Sequence, residues 1–198
     1  MIKLHEFALS GNCHKVRIML SMLGLTYTSI PVNLTDNAHK SADFLAINSF
    51  GQVPVLQDGD TVIRDSQAIL VYLARQYGAV QWWPESATDL ANIAAWLSTT
   101  ANEVVRGPNA LRLHYKFGRA INLEEAQNTT QKLLDIMMTR LSAHPWIATD
   151  NASIADIALY PYVALAAEGK INLASFPHVR AWLQRVQTLP GYIGMPGM

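Results

Sequence analysis

The chain has 198 residues, of which 50% are hydrophobic, 9% aromatic and 15% charged, a charged share well below the roughly 25% of average soluble domains. Its 15 Lys and Arg balance its 15 Asp and Glu, so no long-range field gathers nucleic acid or an anionic membrane surface, and neither is expected as a partner. The single cysteine, Cys13, excludes an intrachain disulfide framework and multi-cysteine zinc patterns, fits a reducing, cytoplasmic compartment, and leaves no metal site to expect.

In chain order, residues 2–7 read as a strand, and Ser10, Gly11 and Asn12 supply turn chemistry. Val16, Met19, Leu20 and Leu23 then recur at helical spacing until Gly24 stops the helix. Residues 26–32 are β-branched and strand-like, and a polar stretch leads into a short helix through Phe44 and Leu45. Val53, Val55 and Leu56 alternate with their neighbours, Asp58-Gly59-Asp60 makes a hairpin turn, and residues 61–63 return as a strand. A helix with Ile69, Tyr72 and Leu73 on one face follows. The order β-α-β-α-β-β-α predicts a mixed sheet with helices packed on it, an α/β domain over residues 1–78.

Residues 79–86 read as a linker whose Trp82, Trp83 and Pro84 pack against the fold, and residues 87–198 as an all-helical domain. Leu90, Ile93, Ala94, Leu97, Ala101 and Val104 mark a long helix, and Leu133, Leu134, Met137 and Leu141 another. Ser153 and Asp156 form a capping box at the start of a helix that Pro161 should kink or shift, and a last helix spans residues 177–187.

Three stretches of the first domain carry polar residues that a plain sandwich does not require. Ser10-Gly11-Asn12-Cys13 lies at a strand-to-helix turn, where unpaired amides and the macrodipole favour an anion or thiolate. Read alone, Ser10 or Asn12 caps the helix and Cys13 fills the core. Gln52-Val53-Pro54 heads a strand, where proline needs an edge, a bulge or a cis peptide. The amide and carbonyl before it suit pairing with a bound peptide backbone, as in an added strand. Asp65-Ser66 opens a helix, where a carboxylate and free amides together suit an α-amino acid's ammonium and carboxylate, or simply cap the helix.

Taken in order, these motifs resemble the glutathione transferase family over nearly the whole chain. FALSGNCHKVRIML resembles its serine-type active-site turn, INSFGQVPVL its cis-proline segment and IRDSQAILVYLA its acid-Ser segment. SIADIALYPYV and FPHVRAWLQRVQTLPG resemble its capping-box signature and closing helix. The resemblance implies a thioredoxin-like N-terminal domain, a helical C-terminal domain, a homodimer, and glutathione as substrate together with a small hydrophobic electrophile.

It also implies that Ser10 donates to the glutathione sulfur and that Val53, beside Pro54, pairs with the cysteinyl backbone. Asp65 and Ser66 would hold the γ-glutamyl end, supported by Gln52, while His39 and Lys40 would meet the glycine carboxylate. Phe7 stands near where tyrosine-type classes place their tyrosine, which excludes that mechanism. S-G-N also resembles the T-x-N turn of nu-like bacterial members acting on disulfides, so Asn12 is a second sulfur contact, and Cys13 would serve if its thiol faced the site. The electrophile pocket is expected between the domains, with Asn102, Arg106 and Asn109 on its wall. Three functions stand: conjugation or hydroperoxide reduction through Ser10, disulfide reduction through Asn12, and a noncatalytic binding protein.

Overall fold

The computed structural model describes residues 1–78 and 80–198. Strand β1 (Ile2–Glu6) is central: β2 (Tyr27–Pro31) runs parallel to it on one side and β3 (Val55–Asp58) antiparallel on the other, with β4 (Thr61–Arg64) outermost. The period-2 pattern fixes the faces. Val55 and Leu56 are consecutive and both buried, and Leu56 joins the main core while Val55 joins a smaller cluster with Val32 and Phe44.

Helix α1 (Gly11–Met22) links β1 to β2, α2 (Ala42–Ile47) precedes β3, and α3 (Ser66–Gln76) follows β4. Helix α1 ends as its sequence dictates. Gly24 takes a left-handed φ of +65°, and the Leu25 amide donates to the Leu20 carbonyl at 2.9 Å, closing the last turn. The result is the thioredoxin-like arrangement, a four-stranded mixed sheet with helices on it.

The helical half contains α4 (Ala87–Thr99), α5 (Ala110–Phe117), α6 (Leu123–Ala143), α7 (Ile154–Ala164) and α8 (Pro177–Gln187). The long helix expected through Val104 does not stay α-helical. Thr100–Asn109 winds as a π-helix that breaks at Gly107, where φ −98° and ψ −105° leave the helical region just before Pro108, which has no amide to offer. Gly107 is buried against α6, where an added Cβ would lie 2.9 Å from Thr130 Oγ1 and 3.1 Å from its amide nitrogen. Close approach of two helices therefore sits at the bend. Helix α7 runs through Pro161 rather than starting or stopping at it.

Helix α7 is buried along almost its whole length, and α1 and α3 pack on it from the first half, so a single core spans both halves. Trp82 belongs to that core, and its carbonyl accepts from the Ile154 amide at 3.3 Å.

Asp156 organises the start of α7. The fully buried carboxylate accepts from the Ser153 amide at 3.0 Å, the Ile147 amide at 3.0 Å, the Trp182 indole at 2.8 Å and the Ser153 hydroxyl at 3.3 Å. It thus ties together the loop before α7, the helix itself and α8. Asp156→Ala would strand these donors in the core. We expect it to lower unfolding free energy by about 3–5 kcal/mol, read as a fall in the urea midpoint at unchanged slope.

Lys15 is the opposite case, a lysine only 1% exposed whose Nζ lies 5.5 Å from the Tyr162 ring centroid. Burial pushes it down to about 7, against the raising field of the Asp65 carboxylate. A lysine depressed in the folded state costs stability below its folded value, and the cost fades as pH climbs toward the ordinary lysine range. Lys15→Met should therefore stabilise the protein by about 1 kcal/mol or more at neutral pH, with the gain shrinking toward pH 10 in urea titrations.

Candidate active site

The sheet directions bring the motif stretches together. β1 and β2 are parallel, β3 runs against β1, and β4 runs against β3. The end of β1, the end of β2, the start of β3 and the end of β4 therefore share one edge of the sheet. Ser10 follows β1, the His39 and Lys40 segment follows β2, Val53-Pro54 precedes β3, and Asp65-Ser66 follows β4.

The turn after β1 is held by an arginine that the sequence reading left out. Arg17 Nη1 meets the Glu6 carboxylate at 2.5 Å and Arg17 Nη2 donates to the Ala8 carbonyl at 3.0 Å, while the Ser29 hydroxyl donates to Glu6 at 2.7 Å. The last residue of β1, the turn, the body of α1 and β2 are thereby locked together.

Ser10 is the N-cap of α1, and its oxygen accepts from the Cys13 amide at 3.3 Å. A hydroxyl used as an acceptor keeps its own proton to donate. Asn12, half-buried, follows in the first turn. Cys13 lies elsewhere: it is fully buried, its sulfur accepts from the Phe7 amide at 3.4 Å, and burial pushes its thiol up to about 11. It is a protonated core residue, and the expectation that it contacts substrate sulfur is withdrawn on that ground.

Across the interface, Tyr162 of α7 lays its ring on this turn. An added Cβ on Gly11 would come within 2.8 Å of the ring, which is why glycine occupies that position. Burial pushes the Tyr162 phenol up to about 12, so it stays protonated. Lys15 Nζ stands 5.5 Å from the same ring.

Between the halves lies a cavity of 280 Å³ whose wall includes Phe7, Leu9 and Ser10 from the turn and Asn109, Arg112 and Tyr162 from the helices. Of the three residues expected on this wall, Asn109 is there. Asn102 is exposed and turns back to the Ser98 carbonyl at 3.1 Å, and Arg106 is exposed and paired with Glu125 at 2.7 Å. The bend at Gly107 and Pro108 separates them from the cavity, and Arg112, one turn beyond Asn109, presents the arginine instead.

The remaining residues sit at the same sheet edge. The Val53–Pro54 peptide is cis. Asp65 holds an unusual φ of +72° and caps α3 by accepting from the Gln67 and Ala68 amides at 2.9 and 3.1 Å, and its carboxylate is exposed. Ser66 beside it is buried and Gln52 is exposed. Lys40 Nζ donates to the Phe50 and Gly51 carbonyls at 3.4 and 3.1 Å, which fixes the loop leading into Val53. His39 is half-buried, with Nδ1 unpartnered. Among the described residues no group of three or more His, Cys, Asp or Glu is placed to hold a metal ion. No helix among them is long and apolar enough to cross a membrane.

Comparison with known proteins agrees with this fold. The family described as "Glutathione S-transferase, N-terminal domain" matches residues 4–81, and "Glutathione S-transferase, C-terminal domain" matches residues 88–190. Glutathione S-transferase 3 of Zea mays is 32% identical over 96% of this chain and 91% of its own. The disulfide-bond oxidoreductase YfcG of Escherichia coli is 30% identical over 96% and 92%. A glutathione S-transferase crystal structure from Pseudomonas fluorescens superposes with a TM-score of 0.93 at 31% identity, covering 98% of each chain. With both halves matched in order, the chain belongs to the glutathione S-transferase family.

Proposed function

We propose that this protein binds glutathione along the shared sheet edge, activates it as the thiolate through Ser10, and transfers it to a small electrophile, or reduces an organic hydroperoxide, in the cavity between the halves. The observation that carries this reading is the Ser10 hydroxyl, which caps α1, keeps its proton free, and lines that cavity. Asp65 and Ser66 take the γ-glutamyl ammonium and carboxylate, with Gln52 in support, and Val53 pairs with the cysteinyl backbone. Lys40 and His39 lie on the glycine side. The active form is a homodimer.

The energetics suffice for activation and for little more. A thiol with an ordinary pKa near 8.5 is only about 3% ionised at pH 7. Lowering it by about two pH units needs about 2.7 kcal/mol in favour of the thiolate. A hydrogen bond to a charged sulfur supplies roughly 1.5–3 kcal/mol, and the end of α1 about 0.3–1 kcal/mol. The thiolate fraction rises roughly 25-fold, and further acceleration comes from holding the electrophile against the sulfur.

A second reading is supported by Asn12, in the first turn of α1, and by the similarity to a disulfide-bond oxidoreductase. There Asn12 contacts the sulfur and the co-substrate is a disulfide. Ser10→Ala and Asn12→Ala separate the two. On the transferase reading, Ser10→Ala returns the bound thiol toward its solution pKa, seen in thiolate absorbance against pH, and lowers turnover of an aromatic halide about tenfold or more at pH 7. If Ser10→Ala is silent while Asn12→Ala abolishes reduction of a small disulfide, the oxidoreductase reading replaces it.

A further inference from the structure

Arg112 is the cation on the wall of the cavity. Its side chain is 3% exposed and its Nε is committed to Glu168 at 2.5 Å, yet its Nη2 is buried without a partner. Lys116 contacts the same Glu168 carboxylate, so two cations share one anion and one positive charge is left over. An unfilled donor on a buried guanidinium is costly, and either a buried water or a ligand anion would satisfy it. Arg112 forms part of the cavity that Ser10 lines, with Asn109 one helical turn before it. The apolar part of the lining comes from Leu9, Leu34, Leu113 and Phe117, with the Phe117 ring centroid 5.3 Å from the Arg112 guanidinium carbon, and Thr35 adds a hydroxyl.

We propose that this cavity selects electrophiles that carry a carboxylate on an apolar body, and that Arg112 is the residue that binds the carboxylate; the inference rests on the transferase reading above. The planar fork of a guanidinium matches a carboxylate, and in a site lined by apolar groups the interaction is little screened. The body of the acid lies on the leucines and Phe117, which leaves its electrophilic carbon toward Ser10 and the sulfur. For an aryl chloride the balance is simple. The thiolate sulfur forms a bond to the ring carbon, the carbon–chlorine bond breaks, and chloride leaves with the electron pair. The thiol proton has already gone to solvent on ionisation.

The test compares 4-chloro-3,5-dinitrobenzoate with the corresponding benzamide, each rate divided by its uncatalysed reaction with glutathione. The wild type should favour the carboxylate about tenfold or more in kcat/KM, mainly through KM, and Arg112→Met should abolish the preference. Because Arg112→Met leaves Glu168 with Lys116 alone, the double variant Arg112→Met/Glu168→Gln is measured alongside and should lose the preference equally. Binding of unreactive 3,5-dinitrobenzoate and 3,5-dinitrobenzamide, followed calorimetrically without glutathione, should show the same discrimination and the same loss. Equal handling of acid and amide by the wild type, or a preference that survives both variants, overturns the proposal. Failure to bind glutathione would overturn the transferase reading instead, and the calorimetric arm would still decide for or against Arg112.

Discussion

The first turn of α1 is pinned from both halves of the molecule. From the sheet side, Arg17 grips Glu6 and the Ala8 carbonyl; from the helical side, the Tyr162 ring lies where any side chain on Gly11 would collide within 2.8 Å. Ser10 caps the helix at the junction. A hydrogen bond to a thiolate is useful only if the donor is already in place before the sulfur arrives, since reorganisation would consume much of the gain. On the proposed transferase reading, the interface between the halves is thus part of the thiolate site as well as a wall of the co-substrate cavity. It depends in turn on α7, a helix with almost no exposed face, whose start is fixed by the four donors around Asp156.

The local fold was legible because its signals are local. Period-2 runs, the Asp58-Gly59-Asp60 turn, Gly24 after α1 and the Ser153–Asp156 box each act within a few residues, and each marks the element it caps or closes. The departures have the same kind of explanation. Val53 and Pro54 read as strand but precede β3, because proline brings no amide to the ladder. The long helix failed at Thr100, where the apolar spacing continues through Val104 but the backbone must reach the Gly107–Pro108 bend against Thr130. That contact joins residues far apart in sequence, and no window of neighbouring residues contains it.

The same bend explains which site residues were legible. Ser10, Pro54, Asp65 and Ser66 sit at ends of strands whose order fixes where they meet, so topology alone gathers these candidates at one end of the sheet. Asn102 and Arg106 were placed by extrapolating one helical face, and the helix does not keep that face past Thr99. Cys13 was drawn in by proximity in sequence, whereas position within the turn sends its sulfur to the Phe7 amide and the core. Arg17, Arg112 and Tyr162 were missed for a related reason: each acts across a tertiary contact, on Glu6, Glu168 and Gly11 respectively.

The division of labour between the halves follows from the magnitudes. A serine hydroxyl and one helix terminus can bring most of a thiol into its reactive form at neutral pH, and once it is ionised further stabilisation of the thiolate only makes it less nucleophilic. If Ser10 activates the thiol as proposed, the first domain therefore reaches a ceiling of roughly 25-fold through ionisation. On the proposed transferase reading, rate and selectivity beyond that have to arise where the second substrate is held, in the cavity whose helical wall supplies Asn109, Arg112 and Tyr162. A buried guanidinium there discriminates more sharply than apolar surface can, because a carboxylate satisfies a donor that no neutral ligand of the same shape can satisfy equally, whereas one methylene more or less in a leucine-lined pocket changes binding by only about 1–3 kcal/mol.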